Sequence, residues 1–544
     1  MRRLFQRIRG ERLGRSSTVC SLLALLLLSS GCTLGPNFVR PKAKVETQWL
    51  EARDAHLKSE APDLKEWWKV FDDPILNELI ETAYRQNLDL QVAGLRIYEA
   101  RARMGVAIGY QYPQEQSIGG SATANQISEH APNSAQSDKY YQDYETSFDA
   151  SWELDFWGRF RRGVESSTAE LYAAIAQYDD ALVSLTAEVA RTYVAIRTYE
   201  QRLRFAHQNV KAQEEALRLA KARFEEGVTT RLDVTQAASL LKQTESLIPK
   251  LEMRLRQAKN AMAVLLGVTP AEVQEILNRP GPIPTAPDEV VVGIPAELLR
   301  RRPDIRAAEY KAAAQCARIG IAKSELFPRF SLGGFIGFET SEKGSLLSNN
   351  NAHFSDLLTS SSINYLFGPF IRFPIFNYGR LKNKVRIEDA RYQQAIANYQ
   401  NTVLKAAQEA EDAMIGFLRS QREAELLAQS VEHYRESMRI ALLQYRAGDT
   451  SYQRVVDIQR DLTREEDRLA TTKGAIATNL IAIYKALGGG WQIRFGHSFV
   501  PEETLDEMRG RTDWGDLLNN ERVIPKRETP PTGREVPLFN RPDF

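Results

Sequence analysis

Cysteine and histidine are scarce in this chain of 544 residues. The cysteines are Cys20, Cys32 and Cys316, and the six histidines are scattered without a pair at metal-ligand spacing. No phosphate-binding loop, nucleophile elbow or cysteine pair is present. The sequence therefore argues against a metal centre, against a bound cofactor and against an enzyme, and it leaves Cys316 without a disulfide partner.

Net charge and long apolar runs are also lacking. The formal net charge is +1, so no basic field indicates nucleic acid as a partner. The apolar run from Val19 to Leu28 is far shorter than the ~20 residues of a membrane-spanning helix. Six arginines precede this run, which is the pattern of a targeting segment.

The targeting segment ends in Leu28-Ser29-Ser30-Gly31-Cys32, which resembles a bacterial lipobox. A small residue before a cysteine suits cleavage and acylation, so residues 1–31 are predicted to be a lipoprotein signal peptide and Cys32 to carry lipid. Ser29 departs from the Leu that the pattern prefers, and Thr33 does not resemble an inner-membrane retention signal. The alternative is an ordinary signal peptide with an incidental cysteine.

The rest of the chain contains the same pattern twice. Residues 87–113 align with 302–328 at an offset of 215, and residues 157–267 align with 378–488 at an offset of 221. Two copies of this length do not indicate a solenoid, which needs many short units. The predicted domains are an N-terminal segment with equatorial region (32–86), repeat one (87–267), an equatorial linker (268–301), repeat two (302–488), and a C-terminal equatorial segment with a tail (489–544).

Each repeat is predicted to be a helix, two strands, a long helix, a glycine turn and a return helix. The helices are expected at about 87–111, 159–225 and 231–266, and again at about 302–326, 380–446 and 452–487. A long helix of ~67 residues spans ~100 Å, and the opening and return helices together nearly match that length. The return helix is therefore expected to cover one half of the long helix, and the opening helix the other half. Pro249 is expected to bend the first return helix.

Both long helices carry apolar residues at a 3.5-residue period. In repeat two the series begins at Val403, runs through Phe417 and Val431, and ends at Tyr445. Such a period predicts supercoiled helices packed side by side. Many positions of the series are small residues, which suits a broad helical wall.

The strands are expected at about 114–156 and 329–376, and residues 141–156 alternate strictly. Phe148 and Trp152 belong to the apolar set, whereas Ser147 and Asp149 belong to the polar set. A soluble sandwich is the alternative explanation of this alternation. Against it, the strands follow a predicted lipid anchor and are joined to helices far too long for a compact sandwich. A sheet in a membrane must close, and four strands are too few to close a barrel. Three chains pooling four strands each would supply twelve.

Several motifs resemble the TolC/NodT-like outer membrane factor family, in its lipoprotein branch. They occur in order within the duplicated frame and span roughly residues 32–500: Cys32-Thr33-Leu34-Gly35-Pro36, Trp67-Trp68, Phe71-Asp72-Asp73-Pro74, Trp152-Glu153-Leu154-Asp155, Arg301-Arg302-Pro303-Asp304-Ile305, Phe327-Pro328, Phe373-Pro374-Ile375-Phe376 and Leu487-Gly488-Gly489-Gly490-Trp491. The resemblance implies a mainly α fold with membrane β structure: a homotrimer in which a twelve-stranded outer-membrane β-barrel continues into a coiled-coil α-helical barrel through the periplasm. It implies an efflux duct for small molecules that works with a periplasmic adaptor and an inner-membrane transporter of the RND type.

The same resemblance assigns roles to the turns between the long and return helices. Gly227, Val228 and Thr229 form the first predicted tip, and Gly448, Asp449 and Thr450 form the second. In the family these tips meet the adaptor, and acidic residues just beyond the second tip constrict the pore. Asp457 matches one such position, whereas Arg454 stands where another aspartate is usual. A solvated carboxylate on a helix face is the alternative for Asp457.

Three other functions remain open at this point. The acidic strand residues could belong to an enzyme, although a solvated surface explains them more simply. A periplasmic coiled-coil scaffold without a pore would share the helices but would not need amphipathic strands. A type I protein-secretion duct would share the whole architecture. The proline-rich and charged tail, 501–544, is predicted to be extended or disordered.

Overall fold

The computed structural model of the chain describes residues 33–60, 63–128, 130, 140–278, 280–296, 301–342, 352–519, 532 and 535–542. Four short elements lie before or between the repeats: β1 (Leu57–Lys58), α1 (Pro74–Gln86), α6 (Pro270–Ile276) and β4 (Val290–Val291). β1 and β4 pair in parallel, with Leu57 opposite Val290. This small sheet joins the N-terminal segment to the linker between the repeats.

The two repeats have the predicted order of elements. Repeat one consists of α2 (Leu88–Gly109), β2 (Glu115–Gln126), β3 (Tyr140–Glu153), α3 (Arg159–Glu225), α4 (Arg231–Glu245) and α5 (Leu247–Leu266). Repeat two consists of α7 (Pro303–Ser324), β5 (Arg329–Glu342), β6 (Ile363–Arg372), α8 (Arg380–Ala447) and α9 (Tyr452–Ala486). The helix α10 (Glu502–Arg511) follows. The helix bounds agree with the prediction to within a few residues, and the division into domains stays a prediction.

The short helices cover the two halves of the long helices, as their lengths predicted. Near its start, α3 packs on α7, where Ser166 Oγ donates to the Ala314 carbonyl at 3.1 Å. Further along, α3 packs on the return helix α9, where Asn209 Nδ2 donates to Glu466 Oε2 at 2.9 Å. The helices therefore lie side by side in a wall with α3 in its interior.

The predicted 3.5-residue series of α8 forms its packed face. Eleven of its thirteen positions are buried, and the other two, Ser420 and Tyr434, are half-buried. α9 packs along this face of α8. One contact between the two helices is the hydrogen bond that Asn479 Nδ2 donates to Ser420 Oγ at 3.1 Å. Small residues at many of these positions let the two helix backbones approach closely.

The first return helix is interrupted at a single residue, Ser246, whose backbone stays helical at φ −66° and ψ −17°. α4 ends at Glu245 and α5 begins at Leu247, with Ser246 between them. Pro249 has no N–H to donate to the Glu245 carbonyl, and its ring crowds that carbonyl. The helical hydrogen-bond ladder is therefore interrupted one turn before the proline, and the bend at Pro249 stays a prediction.

The strands form one antiparallel sheet with the order β2-β3-β5-β6. β3 ends at Glu153 and not at 156, because the Asp155 carboxylate accepts the backbone N–H groups of Phe160 and Arg161 and so starts α3. β6 ends at Arg372 and not at 376, since Pro374 removes a donor from the ladder. Both corrections come from hydrogen bonding that the alternation of apolar residues does not report.

The family motifs that are distant in sequence meet in one apolar core. The Trp67 ring stacks on Tyr484 with centroids 5.3 Å apart and meets Trp68 edge-on at 5.8 Å. Arg302 Nη1 donates to the Ala486 carbonyl at 2.8 Å, just before the closing glycine motif. These contacts join the N-terminal segment, the start of repeat two and the end of repeat two.

The prediction of an extended or disordered tail is wrong for the part of the tail that the structure describes. α10 is followed by a 3-10 turn at Gly515–Leu518, and residues 535–541 lie on the far end of α2. Buried contacts anchor both pieces, because Leu505 and Leu518 join the main apolar core and Val536 is buried. Composition suggested disorder because it does not reveal these partners.

Candidate functional sites

The first glycine turn closes the end of α3. Gly227 has φ +76°, the left-handed conformation that glycine adopts without a Cβ penalty. The Val228 N–H donates to the Arg223 carbonyl at 2.9 Å, and the Gly227 N–H donates to the Phe224 carbonyl at 3.0 Å. This hydrogen-bond pattern is that of a Schellman cap. The turn presents Val228, whose side chain is exposed, at the extremity of the helix pair.

The second glycine turn repeats this geometry at the predicted offset of 221. Gly448 has φ +88°, and the Asp449 N–H donates to the Gln444 carbonyl at 2.9 Å. Asp449 and Gln444 are the counterparts of Val228 and Arg223, so the same cap closes both long helices. The duplication seen in the sequence is therefore present in the backbone hydrogen bonds.

The structure brings the two turns together at one end of the molecule. Arg223 Nη1 donates to the carbonyls of Tyr445 and Arg446, at the end of α8, at 2.6 and 2.9 Å. The guanidinium lies 4.8 Å from the Tyr445 ring centroid. Beside it, Gln236 Nε2 donates to Gln453 Oε1 at 2.8 Å. One surface thus carries both tips.

Three residues hold this surface through partners that the sequence did not reveal. Arg223, Tyr445 and Tyr452 lie next to the glycines, and the Tyr445 and Tyr452 rings meet edge-on at 5.0 Å. Burial raises the pKa of the Tyr445 hydroxyl above its ordinary value. The aromatic and basic residues beside the tip glycines were visible in the sequence, but their partners on the other tip were not.

The predicted constriction residues lie on the first two turns of α9. The Asp457 carboxylate accepts from Gln453 Nε2 and from Arg460 Nη2, both at 3.0 Å, and the aspartate side chain is 43% exposed. Arg454 is exposed one turn earlier. Within the single chain Asp457 is therefore an ion-paired surface carboxylate, and the structure does not test its predicted role in a pore.

The predicted lipid attachment site, Cys32, lies outside the described residues, as do Cys20 and the rest of the signal peptide. The described chain starts at Thr33, beside the corner between β3 and α3. There the Leu34 N–H donates to the Trp157 carbonyl at 3.1 Å, and Arg162 Nε donates to the Leu34 carbonyl at 3.0 Å. The chain thus enters the structure next to the root of the sheet.

The sheet register places the apolar residues of β3 on one face of the sheet and its polar residues on the other. Phe148 lies opposite Ile118 on β2 and Ile336 on β5, and Ile336 lies opposite Tyr365 on β6. The next position of β3, Ser147, lies opposite two glycines, and Asp149 shares its face. The apolar face continues across all four strands, as the alternation in β3 predicted.

Within the residues that the structure describes, no group of histidine, cysteine and carboxylate side chains could hold a metal ion. In the same residues, no helix is both long enough and apolar enough to cross a bilayer.

Comparisons with known proteins agree with this architecture. The model of a family described as outer membrane efflux protein matches residues 79–268 and 294–489, which is most of both repeats. The chain is 31% identical over 471 residues to nodulation protein T of Rhizobium leguminosarum bv. trifolii, covering 86% of this chain and 96% of that protein. It is 29% identical over 477 residues to the probable outer membrane lipoprotein SilC of Salmonella typhimurium, covering 87% of this chain and 98% of that protein. Among solved structures it resembles the outer-membrane channel OprN, with a TM-score of 0.77, 32% identity, and coverage of 85% of this chain and 100% of that chain.

Proposed function

Because this chain belongs to the outer membrane efflux protein family, and is therefore a subunit of an outer-membrane efflux channel, we propose that three copies close one continuous exit duct. The duct accepts small molecules from an inner-membrane transporter of the RND type through a periplasmic adaptor. It catalyses no reaction, and the transporter selects the cargo. The unequal burial of the two repeats is the observation that carries the proposed assembly.

The equivalent helices of the two repeats differ sharply in burial. α7 buries fifteen of its 22 residues, whereas its counterpart α2 buries only five of 22. α3 buries thirty of 67 residues, and its counterpart α8 buries fifteen of 68. In a single chain α3 and α7 pack on each other, so α2 and α8 are the two helices that lack this neighbour.

The uncovered positions are apolar and correspond to buried positions of the other repeat. Val92 on α2 is 47% exposed, while its counterpart Ala307 on α7 is 4% exposed. Ile387 on α8 is 49% exposed, while its counterpart Ser166 bonds across the α3–α7 contact. Packing α8 of one chain on α2 of the next would reproduce the α3–α7 contact. Such a head-to-tail interface generates a ring.

The open sheet supports the same assembly. β2 and β6 are its two edge strands, and each presents one unpaired row of backbone groups. In hydrocarbon each unsatisfied group costs several kcal/mol, so edges must pair. Pairing β6 of one chain with β2 of the next closes a barrel of twelve strands from three chains.

The joined tips are the proposed adaptor-docking site. Three chains with two tips each give six similar turns at one end of the duct, far from the sheet. We expect cysteines at Thr229 and Ser451 to cross-link to the adaptor in intact cells. A cysteine at Asp356, near the opposite end of the molecule, is the matched control. Capture of the adaptor by the control position, and not by the tips, would contradict the proposed orientation.

Channel activity separates this proposal from the other functions left open. Purified trimers should conduct ions in a planar bilayer, whereas a coiled-coil scaffold would not. A type I secretion duct would also conduct. For that reason the decisive companion measurement is which inner-membrane transporter co-purifies after cross-linking in cells, and an ABC-type protein exporter would replace the proposed transporter.

A lipid on Cys32 is the proposed anchor. Leu34 is fixed beside Trp157 at the root of the sheet, so the described chain begins close to the proposed membrane surface. Mass spectrometry of the mature N-terminus should find a triacylated cysteine. A free amine on any other residue would contradict the assignment.

A further inference from the structure

The end of the chain is held by specific contacts on α2. Gln111, which is 2% exposed, donates from Nε2 to the Pro537 carbonyl at 3.1 Å. Its Oε1 accepts from the backbone N–H and from Nδ2 of Asn540, both at 3.0 Å. The Tyr112 hydroxyl donates to the Asn540 carbonyl at 2.6 Å. Residues 515–519 and 535–541 are named the C-terminal strap below.

The C-terminal strap follows α2 toward the sheet. Arg101 Nη1 donates to the carbonyls of Leu517 and Asn519 in the middle of α2. At the end of α2 the Phe539 ring lies 5.6 Å from the Tyr112 ring and 6.1 Å from the Trp152 ring, between centroids. The strap therefore reaches the root of the sheet.

The N-terminal segment covers α7 in the same manner. Residues 33–40, the N-terminal strap, begin at the root of the sheet, and Arg40 Nε donates to Glu309 Oε1 at 2.7 Å. Cys316 Sγ donates to the Pro36 carbonyl at 3.6 Å. Cys316 and Arg101 are 215 residues apart, so equivalent positions of the two repeats bind carbonyl groups of the two straps.

The N-terminal strap makes a further contact at its first residues, where it binds the corner between β3 and α3. The Leu34 N–H donates to the Trp157 carbonyl, and a Cβ added at Gly158 would lie 2.6 Å from Thr33 Cγ2. Trp157 in turn packs on Phe327 with centroids 4.7 Å apart. The strap, the end of the opening helix and the corner thus form one aromatic junction within the chain.

Among the residues that the structure describes, no strap covers the equivalent corner in repeat two. Tyr378 and Gly379 are the counterparts of Trp157 and Gly158, and Tyr378 is 97% exposed with φ +47°. A non-glycine residue in this conformation is uncommon and strained, and such residues persist where surrounding structure holds them. A Cβ added at Gly379 would meet only Asn383, 3.7 Å away.

We propose that the C-terminal strap of one chain binds the Tyr378–Gly379 corner of the neighbouring chain and locks the two protomers at the root of the barrel. This inference rests on the proposed trimer, in which α8 of one chain packs on α2 of the next. Tyr112 and Phe327 are 215 residues apart, so Tyr378 of the neighbour meets Tyr112 as Trp157 meets Phe327. Phe539, 44% exposed, completes that junction. Residues 490–544 lie outside the matched family segments.

Cross-linking between two differently tagged copies tests the proposal. Both copies carry Cys316→Ala, one copy also carries Phe539→Cys, and the other carries Tyr378→Cys. We expect a bismaleimide to join the two tags in co-expressing cells. The control replaces Tyr378→Cys by Trp157→Cys, because that corner is already occupied by the N-terminal strap of its own chain. Equal cross-linking at both corners would overturn the proposal.

Removal of residues 535–541, the part of the strap that reaches the root of the sheet, gives a second readout. A chain that ends at Asn519 keeps both repeats and all the elements up to the turn at 515–518. We expect its trimers in detergent to dissociate at least about tenfold faster than those of the full chain, since the truncation removes the aromatic contact of Phe539 with the neighbour's corner. An unchanged lifetime, with release of the truncated protein from lipid vesicles, would show that the strap binds membrane lipid and would overturn the lock. Absence of trimers from the full chain itself, by native mass spectrometry, would instead refute the proposed function.

Discussion

Single charged residues inside the helical wall are held by partners on other elements. Asp179 on α3 is completely buried and pairs with Arg494, which lies beyond the end of repeat two. Arg302 pairs with Asp304 at 2.9 Å and with Glu409 at 2.8 Å. Removing one partner of a buried pair leaves an uncompensated charge, which is strongly destabilising. The Asp179–Arg494 pair therefore joins repeat one to the C-terminal segment, whereas Arg302 joins the start of α7 to α8 within repeat two.

The environment of Asp180, which lies near Arg302 and Asp304, predicts that the stability of the protein depends on pH. Burial, followed by the nearby charge of Asp304, raises the pKa of Asp180 to about 6, although Arg302 and Lys485 oppose the shift. The folded state therefore holds the proton more tightly than the unfolded state. Its contribution to stability is fully present below pH ~4 and is lost as the pH rises through about 6.

We expect Asp180→Asn to stabilise the protein above pH 7, by about 2 kcal/mol, because it removes the cost of ionising a buried carboxyl. At pH 4 the substitution should have little effect. Denaturant unfolding at the two pH values measures the difference. A variant that gained equal stability at both pH values would exclude ionisation as the cause.

Replacing either tip glycine by valine should strain the backbone of its turn. Gly227→Val and Gly448→Val place a β-branched side chain at φ +76° and +88°, at a cost of about 1–3 kcal/mol. Open space surrounds the added Cβ at 227, and only Arg223 lies near it at 448, so the backbone is the cause. Trimers should persist, whereas adaptor binding, measured by affinity in solution, should fall at least tenfold.

Asparagine at the same positions provides the matched control. It tolerates the left-handed conformation better than valine does. Gly227→Asn and Gly448→Asn should therefore retain most of the adaptor affinity. Equal losses for asparagine and valine would show that the side chain, and not the turn conformation, disturbs docking.

Among the secondary structure elements, the strands predict a contrast between adjacent positions. Phe148→Arg places a charge on the continuous apolar face and should cost about 2–4 kcal/mol near the bilayer midplane. Ser147→Arg lies on the polar face with Asp149 and should be tolerated. It should shift the ion selectivity of the channel toward anions, as measured by reversal potentials. Similar destabilisation of both variants would contradict the register.

The helices show why equivalent elements differ in exposure. α2 and α7 share one pattern and one length, yet α7 lies between α3 and α8 whereas α2 has a helix on one side only. Its second side is apolar at Val92 and Val106, both exposed. The exposed side of α2 therefore marks the boundary between protomers.

At the scale of the whole molecule, we expect disulfide trapping to capture the ring. Ala307 and Ala176 share one buried cluster between α7 and α3. Their counterparts are Val92 on α2 and Ala397 on α8, which would meet between neighbouring chains. In a Cys316→Ala background, Val92→Cys together with Ala397→Cys should yield covalent trimers on oxidation, detected by denaturing electrophoresis.

The single cysteine variants serve as controls and should remain monomeric in denaturing gels. A ladder that stopped at dimers, or that continued beyond trimers, would contradict closure of the ring at three chains.

The sequence by itself determined the internal duplication, the long helices, the two glycine turns and the apolar alternation of β3. These features are local, because helix and strand periods and turn glycines act on neighbouring residues of the chain. The membership of the family followed from motifs in the same frame. The interruption before Pro249 was partly visible, since the proline stands in the sequence but the residue at which the hydrogen-bond ladder stops could not be read from it.

The tertiary structure decided which partner covers each face. The duplication shows that α2 and α7 are equivalent helices, but only packing reveals that α7 is enclosed and α2 is open. The cap that Arg223 forms on α8 joins residues 222 positions apart, and Gln111 receives Asn540 across 429 positions. Such pairs depend on the path of the whole chain, which composition cannot report. For that reason the joined tips and the C-terminal strap became visible only in the folded molecule.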